Sequence, residues 1–273
     1  MKSFIFRVGY SVAAVTVISA SVFALAAYAS HSWGGYHWAR TSNPFTVKLG
    51  DNVSTAWDAS LLGASSDWSQ SAVLDMVVVA GQTSPRSCRA VNGMVEVCNY
   101  RYGNNGWLGV ASIWLNGSHI TQGTVKLNDS YFFSTSRYNT PAWRNFVTCQ
   151  EVGHTFGLDH QDEDFSNINL GTCMDYTSDP TGTAGTNGTL DNEHPNQHDY
   201  DELDAVYSHL DSFNSFSRLL ANVSHALAKD ADSNDSPEWG REVRHSSNGH
   251  GSVYEKDFGR GNSMVTFVIW ANN

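Results

Sequence analysis

The sequence predicts an α+β protein, and three of its patterns support that fold class. Short apolar, β-branched runs recur as expected for strands, mainly in the first half of the chain. Apolar residues at helical spacing form separate stretches, and a long polar loop lies between two of them. The 244 residues after Ala29 suffice for one large domain, or one domain with an appendage.

The first residues have the pattern of a secretory signal peptide. Lys2 and Arg7 accompany an apolar run at 8–27, and Ala27-Tyr28-Ala29 offers the small residues that signal peptidase requires. The alternative is an uncleaved membrane anchor, because a bilayer span needs about 20 apolar residues. We expect a signal peptide at 1–29, a secreted protein and no stable membrane partner after cleavage.

Strands and one helix alternate in the first half of the chain. Thr55 offers a cap for a helix whose apolar residues recur at helical spacing from Trp57 to Ala72. Asn92-Gly93 predicts the turn of a hairpin between Cys88 and Cys98. The other apolar runs predict strands at 45–49, 73–80, 108–115 and 123–127, the last two separated by the turn at 116–117.

The second half contains two predicted helices and a separate extension. Thr140 can cap a helix in which Pro141 takes the first position, and Gly157 can end it in a left-handed conformation. A polar loop at 161–196 precedes a second helix at 199–211. The extension at 213–273 ends in a predicted hairpin, 252–258 with 264–270. Because an isolated hairpin is marginally stable, we expect it to dock on the main domain or on another chain.

Four cysteines, all in the exported part, predict two disulfides in an oxidising compartment. Three pairings are possible. We favour Cys88 with Cys98, which flank the predicted hairpin, and Cys149 with Cys173, which would tie a helix to a downstream loop. A cysteine metal site is the less favoured interpretation, because the sequence has no C-x-x-C spacing.

The charge pattern argues against one class of partner and favours another. A net charge of −11 disfavours nucleic acid and anionic membranes as partners. Residues 145–217 contain no lysine or arginine, yet fourteen of the 27 carboxylates lie there. Such a field repels itself unless it is solvated or neutralised, so the segment indicates either a bound divalent metal or a solvated acidic surface.

Residues 149–160, CQEVGHTFGLDH, have the spacing of a catalytic metal site. Gln150 and His154 are four apart on a predicted helix, so their side chains project from one face. Glu151 would lie beside a water on the metal. Gly157 lets the chain turn so that His160 can become a third donor, and three protein donors plus water leave a catalytic zinc an open position.

This stretch resembles the metzincin motif H-E-x-x-H-x-x-G-x-x-H, and LGTCMDYT supplies the family's Met-turn methionine, Met174, with Tyr176 two residues on. The resemblance implies a metzincin-like metallopeptidase domain at 30–212 with a twisted mixed sheet, an active-site helix, a Met-turn and a closing helix. It also implies a secreted zinc endopeptidase that acts on protein or peptide through a metal-activated water. In that mechanism Glu151 is the general base, His154, His160 and Gln150 hold Zn²⁺, Met174 lies beneath the metal and Tyr176 stabilises the oxyanion.

Gln150 departs from the motif, because it stands where the family has its first histidine. An amide oxygen is a neutral, harder donor than imidazole and suits zinc less well. Two interpretations stay open: Gln150 ligates and the enzyme works, or the chain is an inactive secreted metzincin-fold binding protein. His194 and His198 are the first substitute ligands to test.

Calcium is the second cation that the sequence suggests. Asp162, Glu163 and Asp164 could contribute to a Ca²⁺ site. Because they lack D-x-D-x-D-G spacing, a solvated surface is the preferred interpretation.

Overall fold

A computed structural model describes residues 31–183, 188–216 and 236–271. The expected signal peptide at 1–29 lies outside these residues, as do residues 217–235 of the C-terminal extension. The described residues form an α+β architecture around one nine-stranded mixed sheet, which confirms the predicted fold class. No helix among them is long and apolar enough to cross a membrane.

Nine strands build the sheet. In chain order they are β1 (His37–Trp38), β2 (Phe45–Asn52), β3 (Leu74–Ala80), β4 (Val95–Tyr100), β5 (Trp107–Asn116), β6 (His119–Asn128), β7 (Arg241–His245), β8 (Gly251–Gly259) and β9 (Asn262–Trp270). Their spatial order is β3-β2-β4-β6-β5-β9-β8-β7, and β1 pairs with β6. The pairs among β1, β2, β3, β4 and β6 are parallel, and every pair from β6–β5 through to β8–β7 is antiparallel.

Within the described ranges, five helices accompany the sheet. They are α1 (Asp58–Trp68), α2 (Asp129–Phe132), α3 (Pro141–His154), α4 (Gln197–Val206) and α5 (Ser236–Trp239). Helices α1 and α3 pack against each other, and α3 also contacts β5, β6 and β9. The main core lies between these two helices and one face of the sheet, and includes Trp57, Trp68, Phe146, Val152 and Phe267.

The C-terminal hairpin continues the same sheet instead of forming a separate layer. Strand β9 pairs antiparallel with β5 from Trp107 to Asn116, and β8 and β7 follow outward. Alternate residues of β9 therefore face opposite sides. Phe267 faces the main core, whereas Val268 joins a second apolar cluster with Trp107 and Trp239. The hairpin prediction is confirmed, and of the two docking partners expected for it the structure shows the main domain.

Local signals placed several elements correctly. Thr140 caps α3, since its Oγ1 accepts a hydrogen bond from the Trp143 amide at 3.2 Å, and Pro141 takes the first helical position. Gly157 has a φ of +92°, as the left-handed turn requires. Disulfides join Cys88 to Cys98 and Cys149 to Cys173, as favoured from the sequence.

Three local predictions were wrong, each for a tertiary reason. The predicted hairpin between Cys88 and Cys98 does not form. Cys88 follows a turn and is not in a strand, because β2 and β6 occupy both edges of β4 and leave no place for a hairpin partner. Thr55 does not cap α1, which begins after the fully buried Trp57. Helix α4 ends at Val206 and not at Asp211. Beyond Val206 the Arg40 guanidinium donates to the main-chain carbonyls of Tyr207 and His209.

Gly157→Ala should destabilise the fold severely. A Cβ there would lie 1.8 Å from the Tyr36 carbonyl oxygen, at a backbone conformation that alanine avoids. We expect a loss of more than about 3 kcal/mol in the free energy of unfolding, measured by urea denaturation. Gly117→Ala is the matched control, because Gly117 also has positive φ but nothing within 4 Å of the added atom. It should cost only about 1–2 kcal/mol. Equal losses would contradict the role of the Tyr36 contact.

Candidate functional site

Helix α3 and the turn after it bring two histidines together. His154 is the last residue of α3, and the left-handed turn at Gly157 returns the chain so that His160 faces it. Their Nε2 atoms are 3.0 Å apart, and their rings are nearly perpendicular. Two of the predicted metal ligands are therefore adjacent.

Hydrogen bonds on the far side of each ring fix which nitrogen carries the proton. His154 Nδ1 is 2.9 Å from the Leu158 carbonyl oxygen, and His160 Nδ1 is 3.2 Å from a Glu163 carboxylate oxygen. Both oxygens accept, so each Nδ1 must donate, and the two Nε2 atoms face each other. Burial lowers the pKa of His154 well below its ordinary value, and the nearby His160 lowers it further, so His154 is neutral.

Two lone pairs facing each other repel unless a proton or a cation lies between them. Donor atoms about 2.0–2.1 Å from a tetrahedral zinc are about 3.4 Å apart, close to the observed Nε2 separation. Metal-binding histidines typically donate their other ring nitrogen to a carbonyl or a carboxylate, as both rings do here. The outer hydrogen bonds are those of metal-binding histidines, and the 3.0 Å separation of the two Nε2 atoms also fits an N–H···N hydrogen bond between the rings.

The other predicted site residues lie nearby with polar atoms that have no hydrogen-bond partner among the described residues. The Gln150 amide donates to the Cys173 carbonyl at 2.9 Å, which fixes its orientation and leaves Oε1 buried and unpaired. The Tyr176 hydroxyl and both carboxyl oxygens of Glu151 are also buried without a well-aligned hydrogen bond, although the Ala111 amide lies close to Glu151. Such groups cost about 1–3 kcal/mol each unless a ligand or water satisfies them.

Burial decides the protonation of these groups. It raises the pKa of Glu151 well above its ordinary value, and the Ala111 amide close by opposes this shift only in part. It also raises the pKa of the Tyr176 phenol, with the charges of Glu163 and Glu151 adding to the effect. Glu151 is therefore suited to hold a proton, and Tyr176 keeps its own.

Met174 and Tyr176 reach the site from the loop that a disulfide holds against α3. The Cys149–Cys173 bond joins the helix to the residue before Met174. A Cβ on Gly153 would lie 2.7 Å from the Met174 sulfur, so the methionine packs directly against the helix beside His154. The Tyr176 ring lies over His160 with 4.3 Å between ring centres. The loop therefore brings both residues beside the two histidines.

The C-terminal hairpin covers this site, which the sequence did not indicate. The Phe267 ring of β9 stacks on His154, with centres 4.2 Å apart and planes within 4°. On β8, Gly251 lies so close to Tyr176 that a Cβ would be 1.9 Å from its hydroxyl. Consequently Glu151 and His154 are each only 1% exposed. The sequence predicted the hairpin and its docking, but not that it covers these residues.

Arg244 on β7 fastens the hairpin to the site from the other side. Its guanidinium forms two hydrogen bonds to the Asp159 carboxylate and lies 3.1 Å from a Glu163 oxygen. Burial raises the pKa of Asp159, but the Arg244 bonds and the nearby charges outweigh burial and lower it overall. Asp159, His160 and Glu163 form a cluster of metal-ligand atoms, yet Arg244 already supplies its positive charge.

The remaining predicted metal ligands lie elsewhere. His194 Nδ1 contacts the Asp67 carboxylate at 2.7 Å, and the His198 ring stacks on His31 at 4.8 Å. In the described part of the chain neither histidine joins a metal-ligand cluster, and the three acidic residues suggested for calcium do not group together. The calcium site stays a prediction.

Replacing Arg244 with Met should leave Asp159 buried without its partner. We expect a loss of about 2–4 kcal/mol in the free energy of unfolding at pH 7, because breaking a largely buried pair leaves an uncompensated charge. Adding Asp159→Asn to that variant should restore much of the loss. Arg241→Met, on the same strand and exposed, should change stability by less than about 0.5 kcal/mol.

The pair's contribution should depend on pH with a definite sign. The folded-state pKa of Asp159 lies below its unfolded value, so the stabilisation is present above about pH 4 and is lost as pH falls below it. The difference in unfolding free energy between the parent and Arg244→Met should become smaller in acid. A difference that stays constant down to pH 2 would contradict the ion pair.

No protein-family model matches this chain, and no curated protein matches its sequence. The resemblance to metzincins therefore rests on the residues of the site itself.

Proposed function

We propose that the protein is a secreted, zinc-dependent endopeptidase of metzincin type. The observation that supports this most directly is the pair of facing Nε2 atoms of His154 and His160, 3.0 Å apart and each oriented by a bond at Nδ1. The unpaired oxygen of Gln150 is the third donor in this proposal. Two imidazoles and one oxygen are a donor set that zinc accepts.

The chain's own residues have distinct tasks in peptide hydrolysis. Zinc, when bound, lowers the pKa of a water molecule and polarises the peptide carbonyl. In its ionised form, the Glu151 carboxylate takes a proton from the attacking water and passes it to the departing amine nitrogen. The Tyr176 hydroxyl, which keeps its proton, donates a hydrogen bond to the oxygen on which negative charge develops.

Strand β5 is the element along which a peptide would bind. Glu151 lies against it, since a Cβ on Gly109 would be 2.6 Å from a Glu151 carboxyl oxygen. An extended peptide can add to the edge of a sheet through main-chain hydrogen bonds. In the structure β9 occupies that edge, with Ala111 paired to Phe267. In this proposal a peptide substrate can bind only after β9 has left β5. The structure then represents a closed state, in which β9 covers the site.

A non-catalytic binding protein is the second candidate, and two observations favour it. Gln150 is a weaker zinc donor than the histidine of the motif. The site is also sealed by a long strand pairing, which a protein without catalytic activity would have no need to open. In this case the two histidines and Glu151 would be remnants of an enzyme and the outer surface would bind the partner.

The surroundings of the protein agree with either function. The two disulfides indicate a non-reducing environment. Secretion through the segment at 1–29 is part of the proposal, as is a protein or peptide partner. The net charge of −11 disfavours nucleic acid.

Glu151→Gln should separate the two candidates. The change keeps the shape of the side chain but removes the base, so cleavage of casein should fall by about 10²–10⁴-fold while zinc content is unchanged. Zinc content is measured by mass spectrometry and cleavage by release of fluorescent peptides. If the parent protein cleaves nothing at saturating zinc, the binding protein is the correct assignment.

Gln150→His should strengthen zinc binding on the order of tenfold, because imidazole replaces an amide oxygen. The measurement is competition with a chromogenic chelator. His154→Ala is the control and should remove the same zinc entirely. An affinity that is the same with glutamine and with histidine would show that residue 150 does not ligate.

A disulfide between β5 and β9 should abolish cleavage if the hairpin must leave. Ser112 and Thr266 are directly paired across the two strands, with hydroxyl oxygens 3.0 Å apart, so cysteines there can bridge. The double variant Ser112→Cys/Thr266→Cys should be inactive. Each single variant should cleave at about the parental rate. A locked protein that still cleaves would contradict the closed-state interpretation.

A further inference from the structure

A second cluster of histidines lies away from the site on α3. His37 belongs to β1, and His119 begins the paired strand β6, directly opposite His37 in the register. His209 and Asp211 follow α4. Three segments that are distant in the sequence thus bring three imidazoles and one carboxylate together.

The ligand atoms of this cluster converge. His37 Nε2 is 3.1 Å from His209 Nε2 and 3.7 Å from Oδ2 of Asp211. Oδ1 of Asp211 is 3.8 Å from His209 Nε2 and 3.3 Å from His119 Nε2. These separations bracket the about 3.4 Å expected between ligands of a tetrahedral zinc.

The central histidine is oriented toward the cluster. His37 Nδ1 is 2.8 Å from the Gly35 carbonyl oxygen, which can only accept, so Nδ1 donates and Nε2 keeps its lone pair. The residue is 4% exposed. The buried ring therefore directs its Nε2 at the Nε2 atom of His209.

Arg40 holds the carboxylate in place without occupying the cluster. Its NH1 is 3.2 Å from Oδ2 of Asp211, and its NH2 binds the main-chain carbonyls of Tyr207 and His209. Oδ1 remains on the side of His119 and His209. The arginine fixes the segment in the way that outer hydrogen bonds orient metal ligands, although its positive charge weakens the attraction for a cation.

The cluster is accessible from solvent. The side chains of His209 and His119 are 52% and 25% exposed, whereas Asp211 is 10% exposed. An ion can therefore enter without movement of the C-terminal hairpin, in contrast to the site on α3. A partly open cluster of this kind can also keep water as one ligand.

We propose that His37, His209 and Asp211 bind a divalent transition-metal ion, with Zn²⁺ as the biological candidate. The ion would join β1 to the segment after α4 that contains His209 and Asp211. Imidazole and carboxylate donors suit zinc better than calcium or magnesium. This site does not depend on the proposed peptidase activity.

Zinc stoichiometry tests the proposal. The protein is stripped with a chelator and then titrated with Zn²⁺ alone, and bound zinc is measured by mass spectrometry after gel filtration. His209→Ala should lose about one zinc per molecule, and because the residue is half exposed the fold should persist, as circular dichroism checks. His245→Ala is the matched control, since His245 is also exposed and paired with a carboxylate, Glu242. It should keep the parental stoichiometry.

A second signal makes the test decisive. Co²⁺ should give a visible absorption band that is lost in His209→Ala. An unchanged zinc count in His209→Ala, or an equal loss in His245→Ala, would overturn the proposal. The two sites are distinguishable: if the α3 site binds no metal, His154→Ala leaves the count unchanged while the effect of His209→Ala persists.

Discussion

The pairing of β9 with β5 is the interaction on which the arrangement of the site depends. Without it β5 would present a row of unpaired main-chain groups beside Glu151, an edge that invites association with other strands. With it the sheet continues from strands β1–β6 into the three C-terminal strands β7–β9. Because side chains alternate along β9, the same pairing directs Phe267 onto His154 and Val268 into the opposite cluster. One ladder of hydrogen bonds both completes the sheet and closes the site.

Closure places unusually many polar groups in an apolar environment. Burial shifts the pKa values of Glu151 and Tyr176 upward and that of His154 downward, and every one of these shifts favours the neutral form. The buried oxygens of Gln150 and Tyr176 have no hydrogen-bond partner among the described residues. In the proposed function a dication would interact with such groups, since it attracts both nitrogens and ionised oxygens.

The two histidine clusters share one construction. In each, a main-chain carbonyl fixes the Nδ1 proton, Leu158 for His154 and Gly35 for His37, and two Nε2 atoms then face each other at 3.0 or 3.1 Å. In each an arginine binds an adjacent aspartate. They differ in access, because β9 covers the first cluster whereas His209 leaves the second open. The two clusters therefore differ in solvent access more than in their donor atoms.

The sequence by itself determined the elements whose signals are local. Thr140 and Pro141 defined the start of α3, Gly157 defined the turn after it, and the spacing of His154 and His160 placed both rings on one side. The favoured cysteine pairings were also correct. These features depend on helix periodicity and backbone conformation, which neighbouring residues specify.

Only the tertiary structure decided what covers the site and what forms the second cluster. Phe267 lies 113 positions from His154, and Arg244 lies 85 from Asp159. His37 meets His209 across 172 positions. Such contacts follow from which strand edges pair and in which register, and an alternating apolar pattern specifies a buried face without specifying its partner. The sequence therefore determined the chemistry available at each position, and the packing of the sheet decided which groups meet and which are sealed from solvent.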